Sequence, residues 1–161
     1  EGSAGTWLQP DTPERVIENI QTAISELNTQ NYMRSLADAF TFDPTLEAES
    51  REPVFSSWSR AEEETYFPRL RAAAEPFSER ELQLFDQSPS IIGSDRYILN
   101  ATYELTIQHS RVDELVPSEV QGRMVWEIEQ GADGLWRLAR WTDQELGTFP
   151  SWSDLKAAFV K

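Results

Sequence analysis

Apolar residues recur with a helical period in the first half of this chain and with a period of two in the second, and that switch limits the fold more than any other feature. Val16, Ile17, Ile20, Ala23, Ile24 and Leu27 share one face of a helix. Thr12-Pro13-Glu14 opens it: Thr12 is placed to cap, Pro13 needs no N–H partner in the first turn, and Glu14 meets the positive end of the dipole. A second, shorter helix is expected to carry Tyr32, Leu36, Ala37 and Phe40, closed at Asp43-Pro44 because a residue before proline is pushed out of helical backbone. Thr45 to Phe55 is acidic and aperiodic and reads as a loop with at most a short strand. Ser59 and Glu62 match a capping box ahead of a third helix, with Tyr66, Phe67, Leu70 and Ala74 facing inward and an end near Pro76.

After these helices the period becomes two. Glu81 to Phe85 reads as a short strand. From Tyr97 to His109, Tyr97, Leu99, Ala101, Tyr103, Leu105 and Ile107 alternate with residues that are polar except for Ile98, so one face of this strand is core and the other is wet. Val120 to Glu129 repeats the alternation through Gly122, Met124, Trp126 and Ile128. The turn at Gly131 to Gly134 leads into Leu135 to Asp143 as a hairpin. Trp141 falls on the wrong parity relative to Trp136 and Leu138, which predicts a bulge near Ala139 or a strand covered on both faces. Ser151 or Ser153 then caps a terminal helix that docks Trp152, Leu155 and Phe159 on the sheet.

Helices followed by an antiparallel meander define an α+β chain, with N-terminal helices packed on a strongly curved antiparallel sheet. The 161 residues suit one core, assigned to 12–161, with 1–11 as a flexible Gly-, Ser- and Pro-containing segment. Ile20, Ile24, Phe40, Phe67, Leu99, Leu105, Trp126 and Leu138 are the expected core. Fourteen basic against 28 acidic residues give a net charge of -14, which repels phosphate backbones and excludes nucleic acid as a natural partner. No apolar run approaches the length of a membrane span. With no Cys there is no disulfide, thiol nucleophile or thiolate metal site; with a single His, no metal site and no cofactor are expected.

The order Thr12-Pro13-Glu14 into a long helix, Asn31-Tyr32 to Phe40 into Phe42-Asp43-Pro44, and a closing Gly122-Arg123-Met124-Val125-Trp126-Glu127-Ile128, Gly134-Leu135-Trp136-Arg137-Leu138 and Trp141-Thr142-Asp143 resembles the nuclear transport factor 2-like superfamily. That cone-shaped α+β fold includes SnoaL-like proteins, ketosteroid isomerases and scytalone dehydratases. The resemblance spans roughly residues 12 to 143, and the Trp152 to Lys156 segment is similar to one in uncharacterised exported bacterial members. It implies a cone able to hold a small ligand, and favours an extracytoplasmic or lipoprotein-like location.

Carried over residue by residue, the isomerase general base falls on Asp43, but the helix-one tyrosine of the oxyanion hole falls on Ala23. Asp43 also suits a turn former. His109 lies in phase with the apolar face of its strand, as a general base at a pocket mouth would, and equally as a strand-end residue. Tyr32, Tyr66 and Tyr103, with Trp126 and Trp141, are the candidate liners of a ligand pocket; amphipathic rings also pack this way without a ligand. Arg123 with Glu127 is similar to the Arg–carboxylate sets of epoxide hydrolases of this fold, or is an exposed ion pair. Asp143 resembles a recurrent strand-end acid. Glu62-Glu63-Glu64 complements the first turn of its helix. The expected function is therefore a non-catalytic ligand-binding or accessory domain for a small apolar or neutral ligand or a protein partner. The alternatives are a SnoaL-like isomerase, dehydratase or hydrolase using His109 and Asp43, and an oligomeric subunit forming a homodimer through its sheet.

Overall fold

The computed structural model of the protein describes residues 6–111 and 115–160. Helix α1, Pro13–Glu26, begins where its caps place it, with the Thr12 hydroxyl accepting from the Arg15 N–H at 3.4 Å. It buries Val16, Ile17, Ile20, Ala23 and Ile24 and stops at Leu27, whose φ of 51° turns the chain out of the helix. The Asn28 side chain then caps α2, Thr29–Arg34, by accepting from the Asn31 N–H at 3.0 Å. Of the segment expected to be flexible, residues 1–5 lie outside the described residues. The part from Thr6 onward is tied down: the Asn19 amide pairs with both Leu8 backbone groups at 3.0 and 2.7 Å, and Trp136 N–H donates to Pro10 C=O at 2.9 Å.

Five strands follow: β1 Leu36–Asp43, β2 Arg80–Ile92, β3 Arg96–Ile107, β4 Glu119–Gln130 and β5 Trp136–Glu145. They form one strongly curled sheet in the order β1-β5-β4-β3-β2, antiparallel except where β1 runs parallel to β5. The first of these strands corrects the expected helix from Tyr32 to Phe40. Helix ends at Ser35 and strand begins at Leu36. Leu36, Phe40 and Phe42 fit either period over so short a run, and the hydrogen bonds offered by β5 decide between them, with Phe42 opposite Trp141.

Two further corrections have the same character. Within Thr45 to Phe55, read as a loop, lie α3, Leu46–Arg51, and a 3-10 turn at Pro53–Ser56. Thr45 caps α3 through the Ala48 N–H at 3.1 Å, but Ala48 is its only buried residue, so no apolar stripe announces it. Strand β2 runs far beyond Phe85. Every residue past its bulge between Phe85 and Ser88 is exposed, so alternation gives no sign of it. Elsewhere the patterns hold. Helix α4, Arg60–Ala73, starts with the Glu62 carboxylate accepting from the Ser59 N–H at 2.7 Å. On β3 the six alternating apolar residues are all buried. In β5 the register passes from Leu138 opposite Ile128 to Arg140 opposite Glu127; Ala139 is the extra residue of a bulge, and Trp141 returns to the core face. The eight residues expected in the core are all buried.

The last helix, α5, Trp152–Val160, is capped reciprocally: Ser151 N–H donates to Asp154 Oδ2 at 2.9 Å, and Asp154 N–H to Ser151 Oγ at 3.3 Å. It packs against α4 and β4 and buries Trp152, Leu155, Lys156, Ala157 and Phe159. This placement decides what the interior of the cone contains.

Candidate functional site

Two charged side chains sit on apolar helix stripes. On α4, Glu63 shares a face with Tyr66, Phe67 and Leu70; on α5, Lys156 lies one turn from Trp152 and one from Phe159. Both are 0% exposed and they meet as an ion pair, Lys156 Nζ donating to Glu63 Oε2. The carboxylate takes two more donors, Tyr32 Oη at 2.6 Å on Oε1 and Trp58 Nε1 at 2.7 Å on Oε2. The ammonium lies 4.0 Å from the ring centre of Trp141, 4.5 Å from Phe42, 4.9 Å from Tyr66 and 5.7 Å from Trp58. Aromatic faces carry negative electrostatic potential, so the rings supply part of the solvation the ammonium lost on burial. Burial still pulls Lys156 below the ordinary lysine range, opposed by Glu63 and then Asp143. Tyr32 is pushed well up, by burial first and by the Glu63 charge second.

A second network fixes the start of α5. Asp143, near the end of β5, accepts from Tyr103 Oη at 2.8 Å on Oδ1, and from Ser153 N–H at 2.8 Å and Ser153 Oγ at 2.6 Å on Oδ2. Tyr103 Oη in turn accepts from the Trp152 N–H at 2.7 Å, and Tyr66 Oη from Trp152 Nε1 at 3.0 Å. The Tyr103 ring fits because residue 122 is glycine: a Cβ there would stand 2.7 Å from Tyr103 Oη and 2.7 Å from the Gln144 carbonyl oxygen. Burial pushes the Asp143 carboxyl up to about 6, against the hydrogen bonds from Ser153 and Tyr103 and the Lys156 charge.

That shift fixes a pH dependence. Between the unfolded value of 3.8 and about 6 the folded protein holds a proton that the unfolded chain has lost. The stabilisation from Asp143 is therefore complete below about pH 4 and is lost as the pH rises through about 6, an effect of ~3 kcal/mol. Asp143→Asn is expected to flatten the dependence of the urea midpoint on pH between those values. An unchanged slope would assign it to other groups.

The pocket candidates are all buried in the core. Tyr32, Tyr66, Tyr103, Trp126 and Trp141 are each at most 1% exposed. Trp141 packs edge-on against Trp126 at 5.4 Å and Trp152 at 4.4 Å. None of the five borders the surface cavities of about 810, 550, 470 and 350 Å³ found on the described residues. The two acid–base candidates are held by different partners. His109 is 2% exposed; its Nδ1 accepts from the Arg111 N–H at 3.0 Å, which leaves Nε2 to donate to Pro117 C=O at 2.8 Å. Its ring meets Phe159 edge-on at 5.3 Å. Asp43 accepts from Arg140 Nε at 2.6 Å in a half-exposed ion pair on the sheet. Glu127 pairs with Arg96 at 2.7 Å, where Arg123 was the expected partner. Among the described residues no cluster of His, Asp or Glu has the form of a metal site, and no helix is long and apolar enough to cross a membrane.

From the sequence Glu63 reads only as an acid complementing the first turn of its helix, and nothing singles out Lys156. The available signal was an acid and a base each in register with a helix stripe, Glu63 with Tyr66 and Leu70, and Lys156 with Trp152 and Phe159.

No family model and no curated protein matches this sequence. Solved structures do match the fold, which is that of the nuclear transport factor 2-like proteins. A nuclear transport factor 2-like protein of Cytophaga hutchinsonii superposes with a TM-score of 0.63 at 13% identity, over 86% of this chain and 99% of that one. A ketosteroid isomerase-like protein of Erwinia carotovora gives 0.59 at 11% identity, over 83% and 93%. A second nuclear transport factor 2-like protein, of Shewanella oneidensis, gives 0.59 at 9% identity, over 83% and 96%. These likenesses concern the fold alone, since a shared fold carries many unrelated functions.

Proposed function

We propose that this chain is a non-catalytic accessory domain that recognises a protein partner on its outer surface. One observation carries the reading: Lys156 of α5 is fully buried among aromatic rings and pairs with Glu63, where a ligand of the cone would otherwise meet that carboxylate. A fully buried carboxylate that already accepts three hydrogen bonds, one of them from an ammonium, is a weak base toward a substrate proton. Among the described residues, His109 and Asp43 share no hydrogen-bond partner through which they would act together. Purified protein is expected to turn over no steroid, epoxide or polyketide-like substrate, and native mass spectrometry is expected to find no retained small molecule. Turnover that disappears in Glu63→Gln would overturn the reading.

A second reading is a homodimer through the sheet. Phe85 and Ile92 are 42% and 46% exposed, and their cross-strand partners Thr102 and Arg96 place them on the sheet face away from the core. Light scattering over a concentration series is the test, and a monomer throughout removes this reading.

A further inference from the structure

The largest of the described cavities, about 810 Å³, is an open groove outside the cone, between α3, the chain around Leu115 to Pro117, the segment after β5 and the start of α5. Its apolar part includes Leu115, 93% exposed, and Phe149, 54% exposed, with Val116 beside them. Large apolar side chains left this open gain nothing from folding and offer area to a partner. The rim is acidic: Glu47, Glu145 and Asp154 stand on it with Glu52, against a single guanidinium, Arg51. That cation is already engaged, 2.6 Å from Asp154, 3.3 Å from Glu47 and 3.6 Å from Glu52. The rim therefore keeps a surplus of negative charge around an apolar floor.

We infer that this groove docks a cationic amphipathic segment of a partner protein, one that seats an apolar side chain on Leu115 and Phe149 and aims Lys or Arg at the Glu47 and Glu145 rim. The proposal rests on the surface-recognition reading above and names its partner chemistry. Charge complementarity selects the occupant. An acidic or neutral segment would bury the rim carboxylates without compensation, whereas Lys or Arg pairs with them and its aliphatic stem covers the floor. The net charge of -14 adds long-range attraction for the same class of partner and repels anionic ones.

The test uses the intact protein and two labelled synthetic peptides, one alternating Lys with Leu and one alternating Glu with Leu, followed by fluorescence anisotropy at low and high salt. The Lys/Leu peptide is expected to bind and the Glu/Leu peptide not, with the affinity falling about tenfold as salt screens the rim. Glu47→Gln with Glu145→Gln is expected to weaken binding at low salt by about tenfold, and Phe149→Ser to weaken it at both salts. Glu104→Gln, an exposed acid on β3 away from the groove, is the control and is expected to leave binding unchanged. Unchanged melting temperatures confirm that each variant folds. Equal losses in the control and the groove variants would show attraction to net charge alone, and an inert Phe149→Ser would remove the apolar seat; either result, or no binding of the Lys/Leu peptide, overturns the proposal. None of these outcomes touches the buried Lys156–Glu63 pair, while turnover dependent on Glu63 would refute the accessory reading and leave the groove measurement standing.

Discussion

Lys156→Ala is expected to lower the free energy of unfolding by about 3 to 5 kcal/mol, the usual consequence of removing one partner from a buried ion pair. The variant leaves the Glu63 carboxylate inside the protein with two neutral donors, Tyr32 and Trp58, and without its counter-charge. Urea denaturation measures the loss. A second variant separates charge from packing. Lys156→Met combined with Glu63→Leu removes both charges at similar volume, and is expected to recover most of the loss because the desolvation cost disappears with the ions. Trp58 Nε1 and Tyr32 Oη would then be left without their acceptor, so recovery stops short of a gain. A double variant no more stable than Lys156→Ala would mean that the ion pair and its hydrogen bonds, and not the filled volume, hold α5 in place.

Trp126→Ala carries an effect of the same size, about 3 to 5 kcal/mol, from the opposite kind of interaction. Trp126 is 0% exposed, opposite Leu99 on β3 and Trp141 on β5, and its edge-on contact with Trp141 begins the ring series that reaches Trp152 on α5. Truncation opens a cavity in the ring series between the sheet and α5. The indole nitrogens of Trp126 and Trp141 are both buried without a hydrogen-bond partner, so Trp126→Phe loses packing volume but no hydrogen bond and is expected to cost markedly less than alanine. A denaturant midpoint unmoved by Trp126→Ala would show this residue to be peripheral.

Both variants probe how α5 is held against α4 and the sheet. The hydrogen bonds of Asp143 and Tyr103 set where α5 starts, the ring series sets how it leans, and the Lys156–Glu63 pair fixes its register against α4. A chain without cysteine cannot staple a terminal helix with a disulfide, and here buried polar contacts across long sequence separations hold it instead.

What the sequence by itself determined was local. The cap at Thr12, the box at Ser59 and Glu62, the alternation of Tyr97 to Ile107 and the bulge at Ala139 are each written in a few neighbouring residues, because backbone geometry ties side-chain direction to chain position. From their order the α+β cone followed. The tertiary structure decided the rest. Leu36 to Asp43 became a strand because β5 offered its edge, α3 formed without an apolar stripe, and β2 ran on through exposed residues. Above all, it brought Glu63 and Lys156 together in the interior. Glu63 and Lys156 are 93 residues apart, and each alone reads as a surface charge on a helix. Only when α4 and α5 are brought together does each supply the counter-charge that makes burial of the other tolerable, and no pattern within either helix records that encounter.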